Sequence, residues 1–177
     1  VAGYRGNQIP IDMVYMDIDY MEQYKDFTVN EERFPDFPAY VKKMQEQKIH
    51  LIPIIDAGVK IEDGYDIYEE GVEKGYFCKR EDGSDFVAAV WPGWTHFPDF
   101  LNPEAREWFG SKYARLVDAG IDGFWNDMNE PASFNGPLPD DVQFTDEDRP
   151  ATHAEMHNVY GHLMSKATYE GLKEHDG

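Results

Sequence analysis

Three short apolar runs, each leading into carboxylates, constrain this chain more than any other feature. "DMVYMDIDY" (12–20) ends with Asp17 and Asp19, "IHLIPII" (49–55) runs into Asp56, and "IDGFWN" (121–126) runs into Asp127 and Glu130. The first two are near-continuous apolar stretches, as expected of strands covered on both faces. Between them "FPDFPAYVKKMQEQK" reads as a helix, with Pro38 in its first turn and Val41, Met44 and Lys48 at helical spacing. Before the third run, "NPEAREWFGSKYARLVDAG" reads as another helix. Asn102 caps it, Pro103 takes the first position, Gly120 ends it, and Ala105, Trp108, Phe109, Lys112, Leu116 and Val117 form its mostly apolar stripe. A third helix spans 153–174, burying Met156, Val159, Tyr160, Leu163, Met164 and Ala167. This alternation implies an α/β fold with a parallel sheet and right-handed crossovers. The stretch from about 57 to 101 is too long for a plain connection and reads as an inserted subdomain, with a small hairpin around Gly83.

In parallel α/β folds the chemistry lies beyond the C-terminal ends of the strands. A single Asp there is commonly a loop cap. Acids at three such ends converge on one rim. Trp125 and Asp127 are two apart, so they leave a strand on the same side, an aromatic face beside a carboxylate that suits a sugar. Glu130 either orients Asp127, binds substrate or caps a turn. In "VWPGWTHFPDF" one tryptophan is expected in the core of the insert, while Trp91 walls a pocket.

His153 and His157 are expected on a helix surface rather than in a metal site, because "HAEMH" lacks the HExxH order. Neither a glycine-rich phosphate loop nor a GxSxG elbow occurs. No metal or cofactor is expected. The formal net charge of -19 argues against nucleic acid as a partner. No membrane span is expected, since no run approaches the roughly 18 apolar residues one needs. Cys78 is the one cysteine, so no internal disulfide framework exists, which fits a cytoplasmic location. The chain opens on Val1 with neither initiator methionine nor signal-peptide pattern, and reads as a piece of something longer.

"GFWNDMNEPASF" resembles the signature of glycoside hydrolase family 31, the α-glucosidase family. "YMDIDYMEQYKDFT", "FPDFP", "VWPGWTHFPDF" and "HNVYGHLMSKATYEG" are similar to further family segments, in the family's order, so the resemblance covers nearly the whole chain. It implies a (β/α)₈ TIM barrel, of which residues 1–177 hold about strands two to four with their helices and the insert. Val14, Met16, Ile52, Ile54 and Phe124 would face the barrel interior. It also implies a retaining α-glycoside hydrolase acting on terminal α-linked glucose through a covalent glycosyl-enzyme. Asp127 would be the nucleophile, with Glu130 supporting it. Asp17, Ile18, Val59, Trp91, Trp125 and Met128 would line the sugar subsite. Val59 stands where the family often has Ile, and "DAGV" replaces the commoner "DPxI".

The family's acid/base Asp, and the Arg and His that join it, come from later strands, and none is in this sequence. A retaining glycosidase uses two carboxyl groups about 5–5.5 Å apart, so this chain would supply half of the pair and be inactive alone. Asp17 and Glu130 would raise the pKa of Asp127, an effect that donors such as Asn126 or Asn129 must offset. Two other readings stand beside this one: a metal-dependent barrel enzyme with Mg²⁺ held by the strand-end acids, and a non-catalytic carbohydrate-binding piece. The sequence leaves linkage preference and oligomeric state open.

Overall fold

In a computed structural model that describes residues 1–146 and 149–176, the chain enters through α1 (Ala2–Gly6) and strand β1 (Met13–Met16). β1 is shorter than the apolar run predicts. Asp17 ends it by accepting the Ile18 N–H at 2.8 Å, and Ile18–Tyr20 form a 3₁₀ turn. Helix α2 (Phe37–Glu46) starts where the Asp36 carboxylate accepts the Ala39 N–H at 3.0 Å, a cap that satisfies one orphan donor. It buries Phe37, Val41 and Met44. Lys48 is not on that stripe, because it lies past the helix end at φ 58 and is exposed.

Strand β2 (His50–Asp56) follows, then an excursion holding β3 (Val59–Lys60), α3 (Asp66–Lys74), β4 (Ala88–Val90) and β5 (Gly93–His96). The helix expected over 102–120 is divided into α4 (Pro103–Ser111) and α5 (Ala114–Val117). Asn102 caps α4 as predicted, accepting the Glu104 N–H at 2.9 Å. The division sinks Tyr113 fully into the core, where its hydroxyl reaches Asn126. Strand β6 (Trp125–Asp127) is followed by the short pair β7 (Gln143–Phe144) and β8 (Ala151–Thr152), then by α6 (His153–Met156) and α7 (Tyr160–Asp176).

The main sheet has the order β1-β2-β6, all parallel, with Met16 opposite Pro53, Ile54 opposite Trp125 and Asp56 opposite Asp127. It ends at β1 on one side and β6 on the other, and no closed barrel exists among the described residues. β2 is covered on both faces, but β1 is not: Met13 is 45% and Tyr15 57% exposed. The two faces also differ from expectation. Tyr15 and Trp125 share the open face, their ring centroids 6.0 Å apart, with Ile52 and Ile54 between them by register. Val14, Met16 and Phe124 point the other way, into the helical layer, where the Phe124 ring meets Tyr113 edge-on at 4.8 Å. The shift follows from period two: one residue of register moves every side chain to the opposite face.

The α4 and α7 backbones cross closely because glycines meet there. A Cβ on Gly171 would lie 2.2 Å from the Gly110 carbonyl oxygen, and one on Gly110 would lie 2.3 Å from that of Ala167. α7 buries Tyr160, Met164 and Ala167. Val159 is 40% exposed rather than buried, since a 3₁₀ turn at His157–Val159 precedes the helix and rotates it outward. His153 is buried rather than on a helix surface.

The insert forms an antiparallel sheet of order β3-β5-β4, with a hairpin at Gly83 closed by the Phe86 N–H to the Cys78 carbonyl at 2.8 Å. Its core residues Val59, Phe77, Cys78, Phe86 and Phe97 are continuous with the core of the main sheet. Neither of its tryptophans fills that core: Trp94 is 59% and Trp91 49% exposed. The β7–β8 pair, unforeseen in the sequence, is tied to the insert by two backbone hydrogen bonds between Lys79 and Gln143, at 3.0 and 2.8 Å.

Candidate active site

The C-terminal ends of the three parallel strands bring carboxylates together. Asp17 follows β1, Asp56 closes β2, and Asp127 closes β6 directly opposite Asp56. Asp56 reports their closeness. Burial first, then the charges of Asp127, Asp17 and Glu130, push its carboxyl up to about 7. Asp56 is 4% exposed, and its Oδ1 has no hydrogen-bond partner among the described residues. Beneath it lies a carboxyl the sequence did not flag. Asp26, 1% exposed, accepts the Asp56 N–H at 2.8 Å, and burial together with Asp56 raises it well above the usual carboxylate range. Asp26 sits in a loop, where no periodicity marks a buried position, so only the fold reveals it.

Asp127 itself is half-buried. The flanking amide is committed elsewhere: Asn126 accepts from the Tyr113 hydroxyl at 2.6 Å and donates to Thr168 Oγ1 at 2.8 Å. Asn126 therefore faces the helices, as strand alternation requires, and is not the donor expected for Asp127. Met128, next in the chain, has φ 55, a left-handed conformation that costs a non-glycine residue about 1–3 kcal/mol and concentrates at functional sites. The loop beyond is held against α7, where a Cβ on Gly161 would come within 2.9 Å of the Asn129 carbonyl oxygen. Glu130 is exposed at the end of this segment.

The other expected residues divide. Trp125 is half-buried beside Tyr15 on the open face. Ile18 is half-buried beside Asp17, whose Oδ1 is held by the Ile18 N–H. Trp91 stands on the β4–β5 turn and packs edge-on against Phe134 at 4.8 Å. Phe134 lies seven residues after Asp127, and its N–H donates to the Ala89 carbonyl at 2.8 Å while Asn135 Oδ1 accepts the Ala89 N–H at 2.8 Å. Those bonds connect Trp91 to the Asp127 loop. Val59 differs: it is 0% exposed inside the core and presents no surface to a ligand. Among the described residues, no three His, Cys, Asp or Glu side chains group as metal ligands, and no helix is long and apolar enough to cross a membrane.

Residues 1–177 match the family described as "Glycosyl hydrolases family 31 TIM-barrel domain". The chain is 44% identical over 168 residues to alpha-glucosidase 2 of Bacillus thermoamyloliquefaciens, covering 94% of this chain and 21% of that protein. It is 36% identical over 178 residues to neutral alpha-glucosidase C of Mus musculus, covering 97% of this chain and 19% of that one. It thus spans about a fifth of the length of these relatives. Its fold superposes with a TM-score of 0.87 on a crystal structure of the ER glucosidase II heterodimeric complex, of catalytic subunit and binding domain of the regulatory subunit. That match has 33% identity and covers 96% of this chain and 19% of the other.

Proposed function

The chain belongs to glycosyl hydrolase family 31, as part of its TIM-barrel domain, and from that premise we propose that it carries the nucleophile half of a retaining α-glucosidase site. The observation that carries the proposal is the meeting of Asp17, Asp56, Asp127 and Glu130 at one sheet end. In this reading the Asp127 carboxylate attacks the anomeric carbon of a terminal α-linked glucose. The glycosidic C–O bond breaks, and an ester forms between glucose and Asp127. A second carboxylic acid, on another segment of the full-length protein, protonates the leaving oxygen and later deprotonates the water that hydrolyses the ester.

The Asp17 and Glu130 carboxylates stabilise the positive charge that develops on the sugar in the transition state. Asp17 presents Oδ2 to sugar hydroxyls, because its Oδ1 already accepts the Ile18 N–H. Trp125 supplies an aromatic wall, Trp91 another, and Ile18 and Met128 complete the apolar lining. Buried Asp56, neutral below about pH 7, adds no second negative charge beside Asp127 there.

The test uses the full-length protein. Asp127→Asn keeps the side-chain size and removes attack, so turnover of α-glucosides should fall by at least about 10⁴-fold while sugar binding persists. A fluoroglycoside label should attach to Asp127 in the parent. Label on a peptide that lacks Asp127, or turnover unaffected by the substitution, removes this assignment. Persistent binding by a parent without any hydrolysis would instead favour the carbohydrate-binding reading.

A further inference from the structure

Below the strand-end carboxylates, two buried oxygens lack the hydrogen bonds that buried polar atoms require. Asp26 and Asp56 are 1% and 4% exposed, and the Asp56 N–H donates to Asp26 Oδ1 at 2.8 Å. Asp26 Oδ2 and Asp56 Oδ1 are the orphans, without a partner among the described residues. No ion pair among those residues reaches either carboxyl. Three phenols act on Asp26, but each has spent its proton elsewhere. Tyr20 donates to the Ile54 carbonyl at 2.8 Å, Tyr65 to the Asp26 carbonyl at 2.9 Å, and Tyr113 to Asn126 Oδ1 at 2.6 Å. A hydroxyl has one proton to give, so none of them serves the orphaned oxygens. Two ionised carboxylates buried side by side, with neither donor nor cation, are strongly disfavoured. Protonation resolves this, because a neutral carboxylic acid is itself a donor.

Asp56 also stands beside Asp127. The two are opposite each other in the β2–β6 register, so their side chains leave the sheet on one face. Neighbouring strands lie about 4.8 Å apart, which brings paired carboxyls within reach of an O–H···O bond. Asp127 has to be ionised to attack, and Asn126, the donor expected for it, is turned to the helices. Burial, then the charges of Asp127, Asp17 and Glu130, favours the neutral form of Asp56. Burial, then Asp56, does the same for Asp26.

Resting on the hydrolase reading, we propose that Asp26 and Asp56 are positioning residues, two neutral acids in series: Asp26 Oδ2–H donates to Asp56 Oδ1, and Asp56 Oδ2–H donates to the Asp127 carboxylate and aims it at the sugar. A neutral acid held in a protein site can donate in this way. The bond to Asp127 relaxes while Asp127 is esterified and strengthens as its negative charge returns. Ionisation of Asp56 breaks the series and leaves a second negative charge beside Asp127 in place of a donor.

The test follows kcat/KM against pH in the full-length enzyme with α-glucosyl fluoride. Fluoride departs without a proton, so the acid/base on the other segment does not shape the alkaline limb. The parent should lose activity as pH rises through about 7. Asp56→Ala should be slower on the order of 100-fold, the size of a lost charged hydrogen bond. Asp56→Asn keeps a donor that does not titrate. It should run at least about fivefold faster than Asp56→Ala and move the alkaline limb up by at least about one pH unit. The shape of the profile does not depend on the folded fraction. A parent without this limb, a limb unmoved in Asp56→Asn, or Asp56→Asn no faster than Asp56→Ala overturns the series. A parent that does not hydrolyse the fluoride fails the hydrolase reading instead, and infrared difference spectra across the same pH range then decide. A protonated-carboxyl stretch that is lost as pH rises, is missing from Asp56→Asn and shifts in Asp127→Ala supports the series. Absence of that stretch from the parent, its survival in Asp56→Asn, or no shift in Asp127→Ala overturns it.

Discussion

Asp56 keeps its proton up to about pH 7 in the folded chain, through burial and then the charges of Asp127, Asp17 and Glu130. An unfolded Asp loses its proton near pH ~3.9. The folded value is the higher one, so its stabilising effect is fully present below about pH 4 and is lost as pH rises to about 7, worth on the order of 2–4 kcal/mol across that window. Asp26 titrates beside it, so the two act as a pair. Asp56→Asn should therefore flatten the fall in stability between about pH 4 and 7 by up to one proton, about 1.4 kcal/mol per pH unit. Denaturant unfolding of the full-length protein at a series of pH values checks this, and an unchanged slope would show Asp56 ionised throughout. The individual acids were legible in the sequence because each ends an apolar run. Their pairing was not: Asp56 meets Asp127 through a register spanning 71 positions, and Asp26 is buried by contacts no local pattern encodes.

At the scale of elements, the crossing of α4 and α7 depends on glycine. A Cβ on Gly171 would stand 2.2 Å from the Gly110 oxygen, 2.4 Å from its carbonyl carbon and 2.7 Å from its Cα. These are backbone atoms and cannot rotate away. Gly171→Ala gains about 1 kcal/mol of helix propensity, but overpacking typically costs about 1–3 kcal/mol and more where only backbone can give. A net loss of about 1–2 kcal/mol is expected, read as a lower Tm of the full-length protein, and a raised Tm would place the helices further apart than described. Helices α2 and α4 were legible because Pro38, Asn102 and Pro103 mark their starts through fixed φ and a local hydrogen bond, whereas the Asp36 cap emerged only in the structure. The break at Lys112–Tyr113 was not, since it serves a long-range bond from Tyr113 to Asn126. The β7–β8 pair likewise depends on Lys79, some sixty residues upstream.

At the scale of the whole molecule, the parallel sheet has three strands and two unpaired edges, β1 and β6, among the described residues. Its open face leaves Met13 at 45% and Tyr15 at 57% exposed, each forgoing part of the roughly 1.5–3 kcal/mol that burial of a large apolar side chain provides. Unpaired strand edges template association. Residues 1–177 expressed alone should therefore self-associate on size exclusion and show no hydrolysis of an aryl α-glucoside. A stable monomer that turns over the substrate would contradict both expectations. The backbone bonds between Ala89 and the Phe134–Asn135 segment have a different consequence. They make residues 88–96 and 133–135 a single inheritable unit. An engineer who exchanges the insert for that of another family member must carry the second segment with it, or the graft loses its seam to the Asp127 loop. The stem of the Gly83 hairpin is tied to Gln143 through Lys79, but a Cβ at Gly83 itself would meet nothing within 4 Å, so the turn tip can accept a tag or a longer loop at little expense.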